Sequence, residues 1–482
     1  MIRGGPRLLA WLLAGHLLGC TDEVSVAPVI DTPSPNADAY PYPSLDELEL
    51  IVTLEGSREA LTSGVYARGQ SLELRGVPYG ENLVLHMIGR IGSSEVAYGR
   101  TCPFSVRTGE DAPSPHLYFS RTVKWATSET PSEASRRGGL ATTYHDGSGM
   151  FVGGFGAGAT PLTAVDRFDP HVGAFNVVGQ LAARRDTKAS VLGDGRILIV
   201  GGYQPDDQLA GFLELIEVDV EPARRIETFP AAGLAVAGHA LSALTDGRVL
   251  AFGGRDVSAL TNRVTEVSSD AGSVSLRTLA ATLAVPRREH VATRVSDALG
   301  APVLITGGLN ALDQVVATAE LYRPLSESFA PPAQFAPMMV VPRRGHQTAR
   351  LADDSVLVVG GFDAAGAPVT KLELFSFERG FVDAGDLPVG AGVTGQTLTT
   401  LPDRRLLITG GLNTAGVPVS STYIARVDPV DGSLDLIATD SLSRPRAGHV
   451  ATLLCDGTVM LVGGTAEPSP AERYNPPDLG RR

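Results

Sequence analysis

Five arginines recur at one step of a repeating pattern. Arg136, Arg184, Arg287, Arg343 and Arg446 each open an Arg-x-x-His step. The histidine stands at His239, His290, His346 and His449, while Gly139, Thr187 and Gln396 replace it in other copies. Val236 and Val393 replace the arginine in the third and sixth copies. A guanidinium offers a planar fork of donors to carboxylates, and an imidazole can ligate a metal or carry a proton. Four histidines at one equivalent repeat position point to a structural role, because an active centre gathers different positions. The chain has three cysteines, Cys20, Cys102 and Cys455. It contains no zinc-finger spacing, nucleophile elbow or phosphate loop. We therefore expect no metal and no cofactor.

The elements that must position these residues follow from the repeat. Arg-x-x-His is followed by a short apolar run, a polar turn, a β-branched run and a glycine pair. The pairs are Gly153-Gly154, Gly201-Gly202, Gly253-Gly254, Gly307-Gly308, Gly360-Gly361, Gly410-Gly411 and Gly463-Gly464, spaced 48 to 54 residues apart. Two apolar runs about a turn make a β-hairpin, and a strand-only period near 50 residues is the signature of a propeller blade. Each unit then holds an acid-x-aromatic step, such as Asp166-Arg-Phe168 or Glu373-Leu-Phe375. We expect an all-β chain: a seven-bladed propeller over residues 117–477, preceded by a small β-sandwich over 45–116. The seventh unit lacks a fourth strand, and residues 117–126, with Trp125, are expected to supply it and close the ring.

These repeats resemble kelch repeats, on the glycine pairs in all seven copies and the histidine in four. The resemblance implies a propeller fold but no single activity. Copper oxidases of the galactose oxidase type need two histidines, two tyrosines and a cross-linked cysteine, which this chain does not assemble in sequence. Sugar mutarotases on kelch propellers need only an acid, a base and an arginine, so a mutarotase or epimerase stays as the alternative to a binding or scaffold module. In a propeller the arginines admit two readings. As a repeated structural device, Arg136, Arg184, Arg287, Arg343 and Arg446 each pair with a third-strand carboxylate, drawn from Asp166, Glu214, Glu266, Glu320, Glu373 and Glu472, or cap backbone carbonyls. Or Arg136, Arg184, Arg255, Arg287, Arg343 and Arg446 line one mouth of the tunnel and take a ligand.

The start of the chain concerns location. Arg3 and Arg7 precede an apolar run that ends at Leu17-Leu18-Gly19-Cys20, which resembles a bacterial lipobox. The resemblance implies a signal peptide over 1–19, lipidation at Cys20 and an anchor in the cell envelope, at the outer membrane. Residues 20–44 are acidic and rich in proline, an expected tether; residues 478–482 form a tail. The formal net charge of −13 argues against nucleic acid and against electrostatic attachment to an anionic bilayer. Membrane contact is thus expected through the lipid alone, and the partner of a monomer is an unnamed protein or glycan. Cys102 and Cys455 are either separate thiols or a disulfide between the two domains; reach allows the bond, but sequence cannot decide pairing.

Overall fold

The computed structural model describes residues 24–477 apart from 68, 157–159, 218–224, 271–272, 332 and 429. Cys20, the expected signal peptide over 1–19 and the expected tail 478–482 lie outside the described residues. The fold is all-β: mixed sheets at the N-terminus, then seven four-stranded antiparallel sheets arranged as propeller-like blades.

Each blade is built outward from a short inner strand. The inner strands are Leu140–Thr143, Lys188–Val191, Ala240–Ala243, Val291–Arg294, Gln347–Arg350, Thr397–Thr400 and Val450–Leu453. Each touches its counterpart in the next blade, and Val450–Leu453 touches both Thr397–Thr400 and Leu140–Thr143, so the ring is closed. The second strands, among them Ile197–Val200, Val356–Val359 and Val459–Val462, are buried at every position. Their near-continuous aliphatic runs are covered on both faces by neighbouring blades. Between the first two strands an aspartate caps the turn. Asp146, Asp194, Asp246, Asp353, Asp403 and Asp456 each accept the N–H two residues on.

The seventh blade is closed by Lys124–Thr127, which pairs antiparallel with Glu472–Asn475. Trp125 is buried there and packs on Tyr474, ring centroids 5.0 Å apart. Only the later part of residues 117–126 serves the blade. His116–Tyr118 pairs in parallel with Val29–Asp31, Ser120–Arg121 joins the N-terminal sheet, and Leu117 and Phe119 sit in that unit's core.

The N-terminal unit carries a six-stranded sheet in which Gly80–Ile91 lies between Glu47–Leu54 and Ser94–Arg100. Its core alternates at period two through Leu83, Leu85 and Met87, facing Leu50 and Val52. Two short ribbons complete it where a plain two-sheet sandwich was expected: Val24–Val26 with Leu74–Val77, and the parallel pair above. The expected tether differs accordingly from residue 24 on. Val26 is fully buried in this core, and Val24 and Ile30 pack against it. Apolar residues between the prolines outweigh the acidic composition there.

The unit docks on the face that carries the turns between first and second strands. Arg473 lies over the Tyr118 ring at 3.9 Å and pairs with Asp456. Asn475 donates to the carbonyl oxygen of Tyr98 at 2.7 Å. Arg100 donates to that of Cys455 at 3.0 Å. Cys102 and Cys455 form a disulfide across the junction, with Cα atoms 4.9 Å apart.

Candidate functional site at the tunnel mouth

Five of the six arginines marked in the sequence are buried. Arg136, Arg184, Arg287, Arg343 and Arg446 are each at most 2 % exposed. Arg136 pairs with Asp166 at 2.8 Å, Arg287 with Glu320 at 2.5 Å and Arg446 with Glu472 at 2.8 Å; Arg184 meets Glu214 and Arg343 meets Glu373 in the same way. Each also donates to the carbonyl of the first glycine of its pair, Gly153, Gly201, Gly307, Gly360 or Gly463. One guanidinium thus joins the end of the second strand to the third. Burial pulls the pKa of Arg136, Arg184, Arg287 and Arg343 below the ordinary arginine value, against the pull of the paired carboxylate.

The two blades without the arginine also lack its partner. The position facing the second strand that holds Glu214 or Glu373 elsewhere is Thr265 in blade three and Tyr423 in blade six. Glu266 is one residue out of step, and a one-residue shift along a strand turns a side chain to the other face. It pairs instead with Arg248 at 2.5 Å and Arg277 at 2.9 Å.

The histidines hold adjacent blades together. His239, His346 and His449 are buried, and desolvation lowers each pKa to about 3, so they are neutral. His290 is lowered well below its ordinary value by the same cause. Each ring fills the space over the first glycine of the preceding blade. A Cβ on Gly307 would lie 2.6 Å from His346 and 2.3 Å from the Arg343 carbonyl oxygen; one on Gly410 would lie 2.8 Å from His449. The second glycine of a pair meets its own blade's histidine: a Cβ on Gly361 would lie 2.9 Å from that of His346. Both glycines of every pair have positive φ. The glycines therefore answer to the next blade's histidine and to backbone.

After four of the five buried arginines, a second arginine reaches the mouth. Arg137, Arg185, Arg288 and Arg344 bridge Phe155, Tyr203, Leu309 and Phe362, the residues after the glycine pairs. In blade three the exchange is reversed, with Arg255 bridging Ala237. Arg255, the sixth candidate, is exposed, as is Arg137, and among the described residues neither has an ion-pair partner. Arg185 lies over the Tyr203 ring at 4.4 Å and Arg344 over Phe362 at 5.3 Å. Glu289 is clasped by Arg288 and by Arg344, the latter at 2.7 Å. Asp186 accepts the Gly238 N–H at 3.1 Å. Desolvation raises the Asp186 pKa, with Lys188 opposing and Glu289 adding to the rise.

The surrounding loops between second and third strands are preformed. In five of them a side-chain carbonyl or carboxylate oxygen closes the turn: Asp206, Asp256, Asn310, Asp363 and Asn413 accept N–H groups two to four residues on. Their tips expose Val257, Leu312 and Val417. Chemically this mouth offers two guanidinium groups without an ion-pair partner among the described residues, Arg137 and Arg255, and three that are already paired, Arg185 with Asp207, Arg288 with Asp313 and Glu289, and Arg344 with Glu289.

The second arginine of each doublet escaped sequence reasoning, although Arg136-Arg137, Arg184-Arg185, Arg287-Arg288 and Arg343-Arg344 are visible there. His86 of the N-terminal unit is held by two hydrogen bonds. It hydrogen-bonds Thr53 at 3.0 Å and Tyr98 at 2.7 Å, beside a cavity of about 520 Å³ between the N-terminal unit and blades six and seven. His116 meets Asp31 at 3.2 Å. Compared with protein-family models and with curated proteins, the chain matches none.

Proposed function

We propose that this chain is a kelch-type propeller that binds a carboxylate-bearing protein or glycan segment at its tunnel mouth and is held at the bacterial envelope by lipid on Cys20. The convergence of Arg137, Arg185, Arg255, Arg288 and Arg344 on one mouth carries this reading, because guanidinium forks match carboxylates and the opposite face is taken up by the N-terminal unit. Capped loops keep the ordering cost of binding low. The site is polar and open, so binding should weaken as salt screens it.

A glycan array and a protein pull-down with the chain from residue 24 onward test the proposal. An anionic ligand whose binding falls with salt, and is lost in the Arg185→Ala/Arg344→Ala double variant, supports it. A ligand held equally by that variant sinks it. A sugar mutarotase or epimerase is the second reading, favoured by Asp186, with its raised pKa, beside Glu289 and Arg344. Saturation-transfer NMR on acidic sugars separates the two. Anomer exchange that stops with Asp186→Asn would favour the enzyme.

A further inference from the structure

We propose that Cys102, Cys455 and His171 form a binding site for a thiophilic divalent cation such as Zn²⁺ in the reduced chain, and that the disulfide is the closed form of this site. The two sulfur atoms and one ring nitrogen of His171 lie within 4.8 Å of one another. Zn–S bonds of about 2.3 Å and Zn–N bonds of about 2.1 Å set tetrahedral edges of roughly 3.6 to 3.8 Å, so once the S–S bond of about 2.05 Å is cut the sulfurs must part by about 1.7 Å and the imidazole must close in by no more than about 1.2 Å, movements that side-chain rotation supplies. Sequence could not show this group, because its members lie far apart in the chain and on three elements. Cys102 follows the strand Ser94–Arg100. Cys455 sits in the turn between the first two strands of blade seven, and His171 in the turn before Ala174–Gln180 of blade one.

The frame around the three is fixed. The Cys455 N–H donates to the Gly147 carbonyl at 3.0 Å, and Gly147 sits so close that a Cβ there would lie 2.1 Å from that of Cys455. Asp169 accepts the backbone N–H of His171 at 2.9 Å and lies 3.1 Å from its Nδ1. A carboxylate in that place orients a ligating imidazole. Cys102 is buried, whereas His171 is exposed, which leaves the fourth position of a tetrahedral ion open to water.

The closed and open forms differ by two electrons. A dithiol reductant gives two electrons and two protons to the S–S bond and is itself oxidised to a disulfide. The chain is left with two thiols, and the cation displaces their protons to bind the thiolates. Neither thiolate is available while the bond is intact.

The test uses the chain from residue 24 onward, oxidised or reduced by a phosphine that is then removed under nitrogen. Zn²⁺ is titrated against a chromophoric chelator, and thermal melting is followed with and without Zn²⁺. One Zn²⁺ should bind per reduced chain and none of comparable affinity to the oxidised chain. Zn²⁺ should raise the melting midpoint of the reduced form only. His171→Ala should weaken binding at least tenfold, and Asp169→Asn by about tenfold. Equal Zn²⁺ uptake by both redox forms, no change in melting of the reduced chain, or full affinity in His171→Ala would overturn the proposal.

Discussion

Adjacent arginines of one doublet have opposite duties. Arg343 is sealed between Glu373 and the Gly360 carbonyl, whereas Arg344 lies over Phe362 at the mouth. Arg343→Ala should destabilise the chain by about 3–5 kcal/mol, because it strands a buried carboxylate. Arg344→Ala should change stability by less than about 1 kcal/mol, since its ion pair is partly exposed. Urea unfolding of the two variants measures the contrast, and equal losses would mean that the doublet is not divided in this way. The buried histidines set a pH dependence. The pKa of His346 is about 3 in the folded chain and near 6.5 when unfolded, so the unfolded state binds the extra proton between those values. The stability is fully present above pH 6.5 and is lost as pH falls toward 3. Each such histidine removes about 1.4 kcal/mol per pH unit in that window. Gln396 already fills the equivalent place in blade six. His346→Gln should therefore lose about 2 kcal/mol less than the parent between pH 6.5 and pH 5. Urea midpoints at the two pH values report this, and parallel losses would rule it out.

At the scale of the element, the ring depends on four residues taken from ahead of the first blade. Lys124–Thr127 covers the edge of Glu472–Asn475, which would otherwise present unpaired backbone groups. Lys124 and the Trp125 N–H also bond Asp440 of blade six, at 3.2 and 3.1 Å. Trp125→Ala should cost about 3–5 kcal/mol, through the lost packing on Tyr474 and the cavity left behind. It should also raise the tendency to aggregate. Thermal melting and light scattering check both effects; an unchanged midpoint would show that the closing strand adds little.

Across the whole molecule, the disulfide joins residues 353 positions apart and fastens the N-terminal unit to blade seven. Reducing it, or making Cys455→Ser, should lower stability by about 2–5 kcal/mol. The contacts of Arg100 and Asn475 across the junction remain after the bond is cut. These contacts are fewer than those that close the ring of blades, so limited proteolysis of the reduced chain should clip within the N-terminal unit before it clips the blades. Loss of both at one rate would show that the two do not come apart. The two ends of the assembly are chemically different. The junction face carries the sulfur and histidine cluster, whereas the mouth carries the arginines.

Local and repeated features were legible in the chain alone. Seven glycine pairs, aliphatic second strands and Asp-capped turns prescribe seven hairpins of one kind, because each is settled by contacts within some 20 residues or by an equivalent neighbour. The spare strand at Trp125 was legible as well, since a repeat that lacks one strand implies its source. Direction across the strand was less so. The in-step carboxylates named the partners of five arginines, but whether a guanidinium is buried or faces the mouth depends on the surrounding backbone. Glu266 shows the limit, because one step of register takes it to Arg248 and Arg277. The mouth itself, the pairing of Cys102 with Cys455 and the approach of His171 were decided only by tertiary structure. They join blades or units whose relative placement is set by packing over the whole ring, and spacing along the chain carries no record of it.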